Sequence, residues 1–316
     1  MSPTVRLGID VGGTFTDLFL LDEATGRTVR HKLSSTPGDP SRAPIRGIRE
    51  ILEKAGRAPA DVSFVGLGTT VATNALLERN LAPTGLITTA GFRDLLEIGR
   101  QTRPQVYDLF SPRTEPLVPR ELRLEADERV DGEGRALRPL ARADIERAVE
   151  RLRARGCQSI AICFLNSYAN PAHEQEAAAI VRTLWPACAV TASHELLPEF
   201  REYERLSSTV INASLAPVMG DYLRRFADEV ASLGVPTPPL VMSSGGGVLT
   251  PELAAERPID TLFSGPSGGV SGAVYLGEAV GLRDLVTFDM GGTSTDVCLI
   301  RGGRPETTPT RTIGGL

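Results

Sequence analysis

A nine-residue glycine-rich motif occurs twice in this chain, and it constrains the possible fold more than any other feature of the sequence. The first copy, IDVGGTFTD, occupies residues 9–17, and the second copy, FDMGGTSTD, occupies residues 288–296. Extended to residues 9–21 and 288–300, the two segments are identical at seven of thirteen positions. Each copy lies between two strand-like runs, so the same strand–turn–strand structure is predicted at both places.

The composition of the motif suits phosphate binding. A glycine pair permits positive φ angles and lets the backbone approach a ligand closely. Successive amides of such a turn can point at one anion, and the threonine hydroxyls add donors. The predicted nucleotide contacts are Gly12, Gly13, Thr14, Thr16, Gly291, Gly292, Thr293 and Thr295.

The aspartates of the motif would repel a bare phosphate, which favours a divalent cation between carboxylate and phosphate. Mg²⁺ typically binds through one or two carboxylates, waters and phosphate oxygens. We therefore expect Asp10 and Asp289 to orient Mg²⁺ or its waters, with Asp17 and Asp296 as further candidate ligands. Two facing copies could clamp a polyphosphate from both sides. The alternative is an ordinary tight hairpin, in which Gly forms the turn and Asp or Thr makes local hydrogen bonds.

Composition excludes several other kinds of protein. The 34 basic and 39 acidic residues give a net charge of −5, and no basic block predicts nucleic-acid binding. The only lysines, Lys32 and Lys54, do not lie in a GxxxxGK[ST] sequence, so a P-loop is excluded. The four cysteines form no CxxC pair, and no apolar run is long enough to span a membrane. Without a visible secretion signal, a cytoplasmic protein is expected.

The apolar pattern predicts an α/β chain in two parts. Strands are expected over residues 5–9, 18–21 and 28–33, and a helix is expected to open near Ser41. Residues 203–215 and 218–233 are predicted to form two helices that are separated at Pro217. A domain boundary is placed near residue 200, dividing the chain into residues 1–200 and 201–316, with one copy of the motif in each.

Several segments resemble a known family. The paired DxGGTxTD turns are similar to the two phosphate motifs of the actin, sugar kinase and Hsp70 ATPase superfamily. GTTVATNALL at residues 68–77 and TTAGFRDLLEIGRQ at residues 88–101 resemble the hydantoinase A/5-oxoprolinase branch. EYER at residues 202–205 and SGP at residues 264–266 extend the match over nearly the whole chain. The resemblance implies an RNase-H-like, actin/hexokinase-type ATPase fold.

The same resemblance implies a function: ATP-dependent opening of a cyclic amide such as a hydantoin or 5-oxoproline, often with a B-type partner subunit or domain. ATP would phosphorylate the amide oxygen, and water would then attack the activated carbon. Arg93 and Arg100 could face the substrate or the transferring phosphate, or form surface ion pairs instead. Thr69, Thr70 and Asn74 could line the site from a helix N-terminus, or simply cap that helix.

Other functions fit the same motifs. The ATP-using subunit of an acetone- or acetophenone-type carboxylase is one alternative, and a nucleotide-binding, non-catalytic actin-like protein or an inactive fragment is another. The chain ends 20 residues after the second motif. An ATPase of this superfamily is expected to continue with further strands, helices and an adenosine-binding motif. The first domain is therefore expected to be complete and the second to be partial.

Overall fold

The computed structural model describes residues 4–102, 107, 108, 110, 114–290, 295–308 and 313. The strands are β1 Val5–Val11, β2 Phe15–Asp22, β3 Arg27–Ser34, β4 Val62–Thr69, β5 Thr84–Thr89, β6 Arg123–Ala126, β7 Arg129–Val130, β8 Ala136–Arg138, β9 Ser159–Cys163, β10 Ala189–Ala192, β11 Leu240–Met242, β12 Val248–Leu249, β13 Leu285–Met290, β14 Thr295–Arg301 and β15 Arg304–Pro305. The helices are α1 Arg42–Ala55, α2 Val71–Leu77, α3 Leu95–Ile98, α4 Arg142–Ala154, α5 Ala172–Leu184, α6 Ser193–Leu196, α7 Glu202–Ser232, α8 Pro251–Glu256 and α9 Ser264–Val280.

Residue contacts divide the chain into two compact units, and one of them is discontinuous in sequence. Unit 1 contains residues 1–78 and 219–311, and unit 2 contains residues 79–218 together with 312–316. The division at 218/219 falls inside helix α7, which contributes its first part to unit 2 and its last part to unit 1. A boundary near residue 200 stays a prediction about domain organisation.

Unit 1 is built on a six-stranded mixed sheet with the order β12-β11-β4-β1-β2-β3. Strands β1, β2 and β3 form an antiparallel meander, while β4 is parallel to β1 and β11 is parallel to β4. The side chains of β1 alternate strictly between buried and exposed, as expected for a strand with one face on a core. The three strands predicted at the start of the chain are confirmed.

Helix α1 covers one face of this meander. It packs against β2 and β3 and buries Ile45, Ile48, Ile51 and Leu52 at helical spacing. Gly47 makes the close approach possible, because a Cβ there would lie 2.5 Å from the side chain of Leu18. The helix ends at Gly56, whose φ of +65° is the left-handed conformation typical of a C-terminal cap.

The second motif forms a separate three-stranded antiparallel sheet within unit 1, with the order β13-β14-β15. Helix α9 packs against β13 and β14, as well as against β4 and β11 of the large sheet. The strands on either side of both repeated turns therefore exist as predicted.

Unit 2 is a layered α/β structure around a four-stranded parallel sheet with the order β10-β9-β5-β6. Every residue of β5 and β9 is buried, because apolar clusters cover both faces of the sheet. One cluster includes residues of α4 and α5, and the other includes Leu206, Val210 and Ala213 from α7. The predicted α/β class is confirmed.

The prediction of two helices separated at Pro217 is wrong. Helix α7 runs without interruption over 31 residues and includes Pro217. A proline inside a helix costs about 3 kcal/mol, since it removes one backbone hydrogen bond and crowds the preceding turn. Leu215 and Met219 on either side of it are fully buried, and the packing of both helix segments outweighs that local cost.

Among the described residues, no helix combines the length and the apolar character needed to cross a lipid bilayer.

Candidate functional site

The first glycine-rich turn joins β1 to β2 and brings two carboxylates to the same face of the hairpin. Asp10 and Asp17 are directly opposite each other in the β1–β2 register. The backbone N–H of Gly12 donates to the carbonyl of Phe15 at 3.0 Å, which closes the turn. The Ser35 hydroxyl donates to the Gly12 carbonyl at 2.6 Å and ties the turn to the end of β3.

Neighbouring atoms approach the two glycines closely, and neither glycine adopts an unusual backbone conformation. Neither Gly12 nor Gly13 has a positive φ, so that part of the prediction is wrong. A Cβ on Gly12 would lie 3.0 Å from the Phe15 carbonyl oxygen, and one on Gly13 would lie 3.2 Å from Nδ2 of Asn74. Larger residues would push against both neighbours. Gly13 is exposed, and its missing side chain leaves the backbone there accessible to a ligand.

The threonines of the first turn have different positions. Thr14 is exposed beside the glycines. Thr16 is fully buried on the opposite face from Asp10, and its hydroxyl shares a 2.9 Å hydrogen bond with Ser35. Because Ser35 also holds the Gly12 carbonyl, the Thr16 side chain supports the turn from behind. This position does not favour a direct contact between Thr16 and a nucleotide.

Asp10 is held between two glycines that the fold brings together from distant parts of unit 1. Cβ atoms on Gly68 and Gly265 would lie 3.3 and 3.1 Å from its Oδ1. The carboxylate keeps one side open to solvent, yet lost hydration and the charges of Asp17 and Asp289 raise its pKa to about 6. A cation that binds here would relieve this repulsion, so the donor set fits a divalent cation that completes its shell with waters and phosphate oxygens.

Lys32 belongs to this site, although the sequence analysis did not assign it a role. It is opposite Asp17 in the β2–β3 register, and its Nζ donates to the Asp17 carboxylate at 2.7 Å. The charge of Lys32 also partly offsets the rise in the Asp10 pKa. Its rarity is a signal that could have found it, because it is one of only two lysines in a chain with 32 arginines.

Thr69, Thr70 and Asn74 lie beside the first turn, at the start of α2. The Thr70 hydroxyl donates to the Val11 carbonyl at 3.2 Å, and Asn74 Nδ2 donates to Thr70 Oγ1 at 3.3 Å. Thr69 Oγ1 accepts the Val71 N–H at 3.2 Å. These bonds hold the start of α2 against the turn. The structure thus brings the three residues together with Gly13, while a role in ligand binding stays a prediction.

Two further residues at this site were missed by the sequence analysis. Ser264, at the start of α9, exchanges two hydrogen bonds with the backbone of Thr69, at 2.8 and 3.1 Å. Tyr222 of α7 is buried beside Thr69, and its hydroxyl finds no hydrogen-bond partner within the described part of the chain. Burial raises the pKa of the Tyr222 phenol, the neighbouring Thr69 side chain partly offsets that rise, and the negative charge of Asp10 adds to it. Only the SGP segment carried a sequence signal for this region.

The strands of the second hairpin repeat those of the first only in part. Asp289 and Asp296 are opposite each other in the β13–β14 register, as Asp10 and Asp17 are in the first hairpin. Thr295 is exposed, unlike its buried counterpart Thr16. Gly291, Gly292 and Thr293 lie outside the described residues. No three His, Cys, Asp or Glu side chains of the described residues come together as a metal centre, so metal roles for Asp10, Asp17, Asp289 and Asp296 stay predictions.

Arg93 and Arg100 both lie in unit 2. Arg100 forms an ion pair with Glu204 at the surface, which matches the alternative that the sequence left open. Arg93 lines an arginine-rich cavity. A catalytic role for either residue stays a prediction.

Comparisons with known proteins cover almost all of the chain. Residues 6–185 match the hydantoinase/oxoprolinase N-terminal region, and residues 205–316 match the hydantoinase/oxoprolinase domain. The caprolactamase subunit alpha of Pseudomonas jessenii is 39% identical over 305 residues, which cover 95% of this chain and 44% of the relative. 5-Oxoprolinase 1 of Arabidopsis thaliana is 34% identical over 350 residues, which cover 99% of this chain and 27% of the relative.

Solved structures agree with these matches. The crystal structure of the ATP-dependent caprolactamase from Pseudomonas jessenii has a TM-score of 0.85 at 39% identity, over 93% of this chain and 43% of that one. Nucleotide-free acetone carboxylase has a TM-score of 0.84 at 31% identity, over 96% of this chain and 46% of that one. These likenesses confirm the predicted fold class. The chain spans less than half the length of these relatives.

The family models together match most of the sequence, and the structure brings the first glycine-rich turn together with the GTTVATNALL and SGP segments that carry the resemblance. The chain belongs to the hydantoinase/oxoprolinase family.

Proposed function

We propose that this chain is the ATP-using part of an enzyme that opens a cyclic amide. The observation that carries the proposal is the Asp10 carboxylate, which lies beside the Gly12–Gly13 turn and has a pKa raised to about 6. Relatives that share the fold are an ATP-dependent caprolactamase and a 5-oxoprolinase. A lactam or a related ring such as a hydantoin is therefore the proposed substrate class.

Each hairpin has a proposed role toward the nucleotide. The Gly13 amide and the Thr14 hydroxyl would donate to phosphate oxygens from one side, and Gly12, whose amide donates to the Phe15 carbonyl, would let the phosphate approach the backbone closely. Gly291, Gly292, Thr293 and Thr295 would donate from the other side. Asp10 and Asp289 would hold Mg²⁺ directly or through its waters, with Asp17 and Asp296 nearby. Mg²⁺ would supply charge neutralisation for the transferring phosphoryl group.

The proposed chemistry makes a stable amide reactive. The γ-phosphoryl group of ATP would move to the amide oxygen and release ADP. That oxygen would then be a good leaving group, and the attached carbon would be more electrophilic. Water would add to that carbon, and cleavage of the C–N bond would release the amine and leave an acyl phosphate. A second water would hydrolyse the acyl phosphate to the acid and inorganic phosphate. A B-type subunit or domain is the proposed partner for the hydrolytic step.

A carboxylase subunit is the second candidate, because acetone carboxylase has almost the same TM-score as the caprolactamase. Both functions begin with phosphoryl transfer from ATP to an oxygen of the substrate. ATP hydrolysis that is stimulated by caprolactam, a hydantoin or 5-oxoproline would favour the amide hydrolase. Stimulation by acetone together with bicarbonate would favour the carboxylase.

The site is tested by Asp10→Asn and, separately, Asp289→Asn. Loss of an electrostatic contact made to a transition state commonly costs about 10²–10³ in kcat, and we expect a loss of that order in each variant. The measurements are Mg²⁺-dependent ATP binding by the chain and substrate-stimulated ATP turnover with the partner present. Asp221→Asn is the control, since Asp221 is exposed and its carboxylate forms an ion pair with Arg224. Unchanged affinity and turnover in both site variants would contradict the two-sided clamp.

A further inference from the structure

Unit 2 contains a cavity of about 330 Å³ that is lined mainly by arginines. Its walls are formed by Arg93, Arg120, Glu121, Arg123 and Arg151. These residues come from the segment before α3, from the start of β6 and from helix α4. Cavities that hold small molecules have volumes of about 300–1,000 Å³, so the size suits a small ligand.

Arg123 is the innermost of these arginines, with a side chain only 1% exposed. Its Nε donates to the Val118 carbonyl at 2.8 Å, and one terminal nitrogen donates to the Glu97 carboxylate at 2.9 Å. The other terminal nitrogen, Nη1, is buried and has no hydrogen-bond partner among the described residues. The nearest carboxylate oxygen, Oδ1 of Asp94, is 3.9 Å away. A buried charged donor without a partner costs free energy. This cost points to a ligand that accepts a hydrogen bond from Nη1.

Three carboxylates near the cavity already accept hydrogen bonds. Asp94 accepts two hydrogen bonds from Arg120, at 2.8 and 2.9 Å. Glu97 accepts the bond from Arg123, and Glu125 accepts the Gly91 N–H at 2.7 Å. Asp94, the carboxylate that lies 3.9 Å from Arg123 Nη1, therefore already accepts from Arg120.

Arg93 and Arg151 supply the remaining positive charge. Neither side chain forms an ion pair or a hydrogen bond with any residue that the structure describes. The four arginines of the wall face Glu121 and the two paired carboxylates, Asp94 and Glu97. Glu125 also acts electrostatically on Arg120, so the site is marked by the Arg123 Nη1 that lacks a partner among the described residues and not by a net charge.

We propose that the cavity binds a small anion through a carboxylate or phosphate group. A guanidinium group presents N–H donors in a planar fork that matches both groups. Arg93 and Arg151 would contact the anion from the two sides of the cavity, and the free Arg123 nitrogen would donate from its base. The proposal does not depend on the proposed function, because all five wall residues belong to unit 2.

The test is isothermal titration calorimetry of the whole chain at low ionic strength, with inorganic phosphate and, in a second arm, with succinate. Hydrogen bonds to charged groups contribute about 1.5–3 kcal/mol, so Arg93→Gln and Arg151→Gln should each weaken binding at least about tenfold. Both side chains are accessible, and the variants should fold. Arg182→Gln is the matched control, since it removes the same charge from an exposed ion pair of the same unit.

The two arms distinguish the source of the anion. Binding of phosphate alone would identify a phosphorylated ligand, and binding of succinate alone would identify a carboxylic acid. Either result supports the site if the two cavity variants weaken binding and Arg182→Gln stays within about twofold of the unaltered chain. Equal weakening by all three substitutions would show non-specific charge attraction and would overturn the proposal. Absence of binding of both anions would overturn it as well.

Discussion

The two glycine-rich hairpins have nearly the same sequence but very different surroundings. In the first, Ile9, Val11 and Leu18 are buried in the six-stranded sheet, with Val11 only 3% exposed. In the second, the residues at the equivalent positions, Phe288, Met290 and Val297, are exposed, and Val297 is 61% accessible. Both hairpins nevertheless pair their aspartates directly opposite each other, as Asp10 with Asp17 and as Asp289 with Asp296.

The motif determines the hairpin and its register, while the burial of its side chains depends on which other elements cover the hairpin. A one-residue slip would move every side chain to the other face, and neither hairpin has slipped. The electrostatic environment, by contrast, is built by tertiary contacts. Asp10 is crowded by glycines of β4 and α9, which are far from it in sequence.

The largest expected difference between the hairpins is in stability. Val11→Ala removes buried methyl groups and leaves a cavity, so it should lower the free energy of unfolding by about 2 kcal/mol. Val297→Ala removes the same atoms from an exposed position and should change it by less than about 0.5 kcal/mol. Urea denaturation of both variants measures the difference. Equal losses would mean that the second hairpin is as well packed as the first.

The next prediction concerns the crowding of Asp10. A Cβ in Gly265→Ala would lie 3.1 Å from Asp10 Oδ1 and should shift the carboxylate, which lowers ATP turnover about tenfold. Thermal stability should stay the same or rise, because alanine favours helix more than glycine does. Gly269→Ala in the same helix is the control, since no atom lies within 4 Å of its Cβ position. Equal turnover in the two variants would argue against a role for the Asp10 position.

Thr16 and Thr295 occupy the same position in the two hairpins, one buried and one exposed, and their substitution should give a smaller difference in stability. Thr16→Val should destabilise the chain by about 1 kcal/mol, because it breaks the hydrogen bond with Ser35. Thr295→Val should have little effect on stability, since Thr295 is exposed. Chemical denaturation tests both. If Thr16→Val left the stability unchanged but abolished nucleotide binding, Thr16 would be a ligand contact and not a support of the turn.

The smallest expected effect is the pH dependence that arises from Asp10. Its pKa is about 6 in the folded chain, against the ordinary value of 3.8 for an aspartate. A raised carboxyl pKa contributes stability that is present below pH 3.8 and is lost as pH rises through 6. Without nucleotide at pH 7–8, Asp10→Asn should therefore be the more stable form, by about 1 kcal/mol or less after allowance for solvent screening.

The same titration links the two hairpins. Because the charge of Asp289 helps to raise the Asp10 pKa, Asp289→Asn should lower the midpoint of the Asp10 titration. Carboxyl carbon chemical shifts followed against pH would measure it. An unchanged midpoint would mean that the second hairpin does not act on the first in solution.

Local sequence was enough to predict the elements that carry the site. Alternation of apolar residues predicted β1 to β3, and the repeat predicted two hairpins with aspartates at matching positions. Local rules failed at Pro217, where buried neighbours on both sides keep α7 continuous. They also failed at Gly12 and Gly13. These positions pack closely against Phe15 and Asn74, and neither glycine has a positive φ.

The sequence by itself determined the α/β class, the family, the paired turns and the acidic residues within them. These features depend on neighbours in the chain, and a motif of fixed spacing specifies them wherever it occurs. Only the tertiary structure decided which groups surround Asp10, that Lys32 pairs with Asp17, and that Arg123 Nη1 is buried without a hydrogen-bond partner among the described residues. Such contacts join residues that are far apart in the sequence, and burial and charge act through space, so no local pattern can encode them.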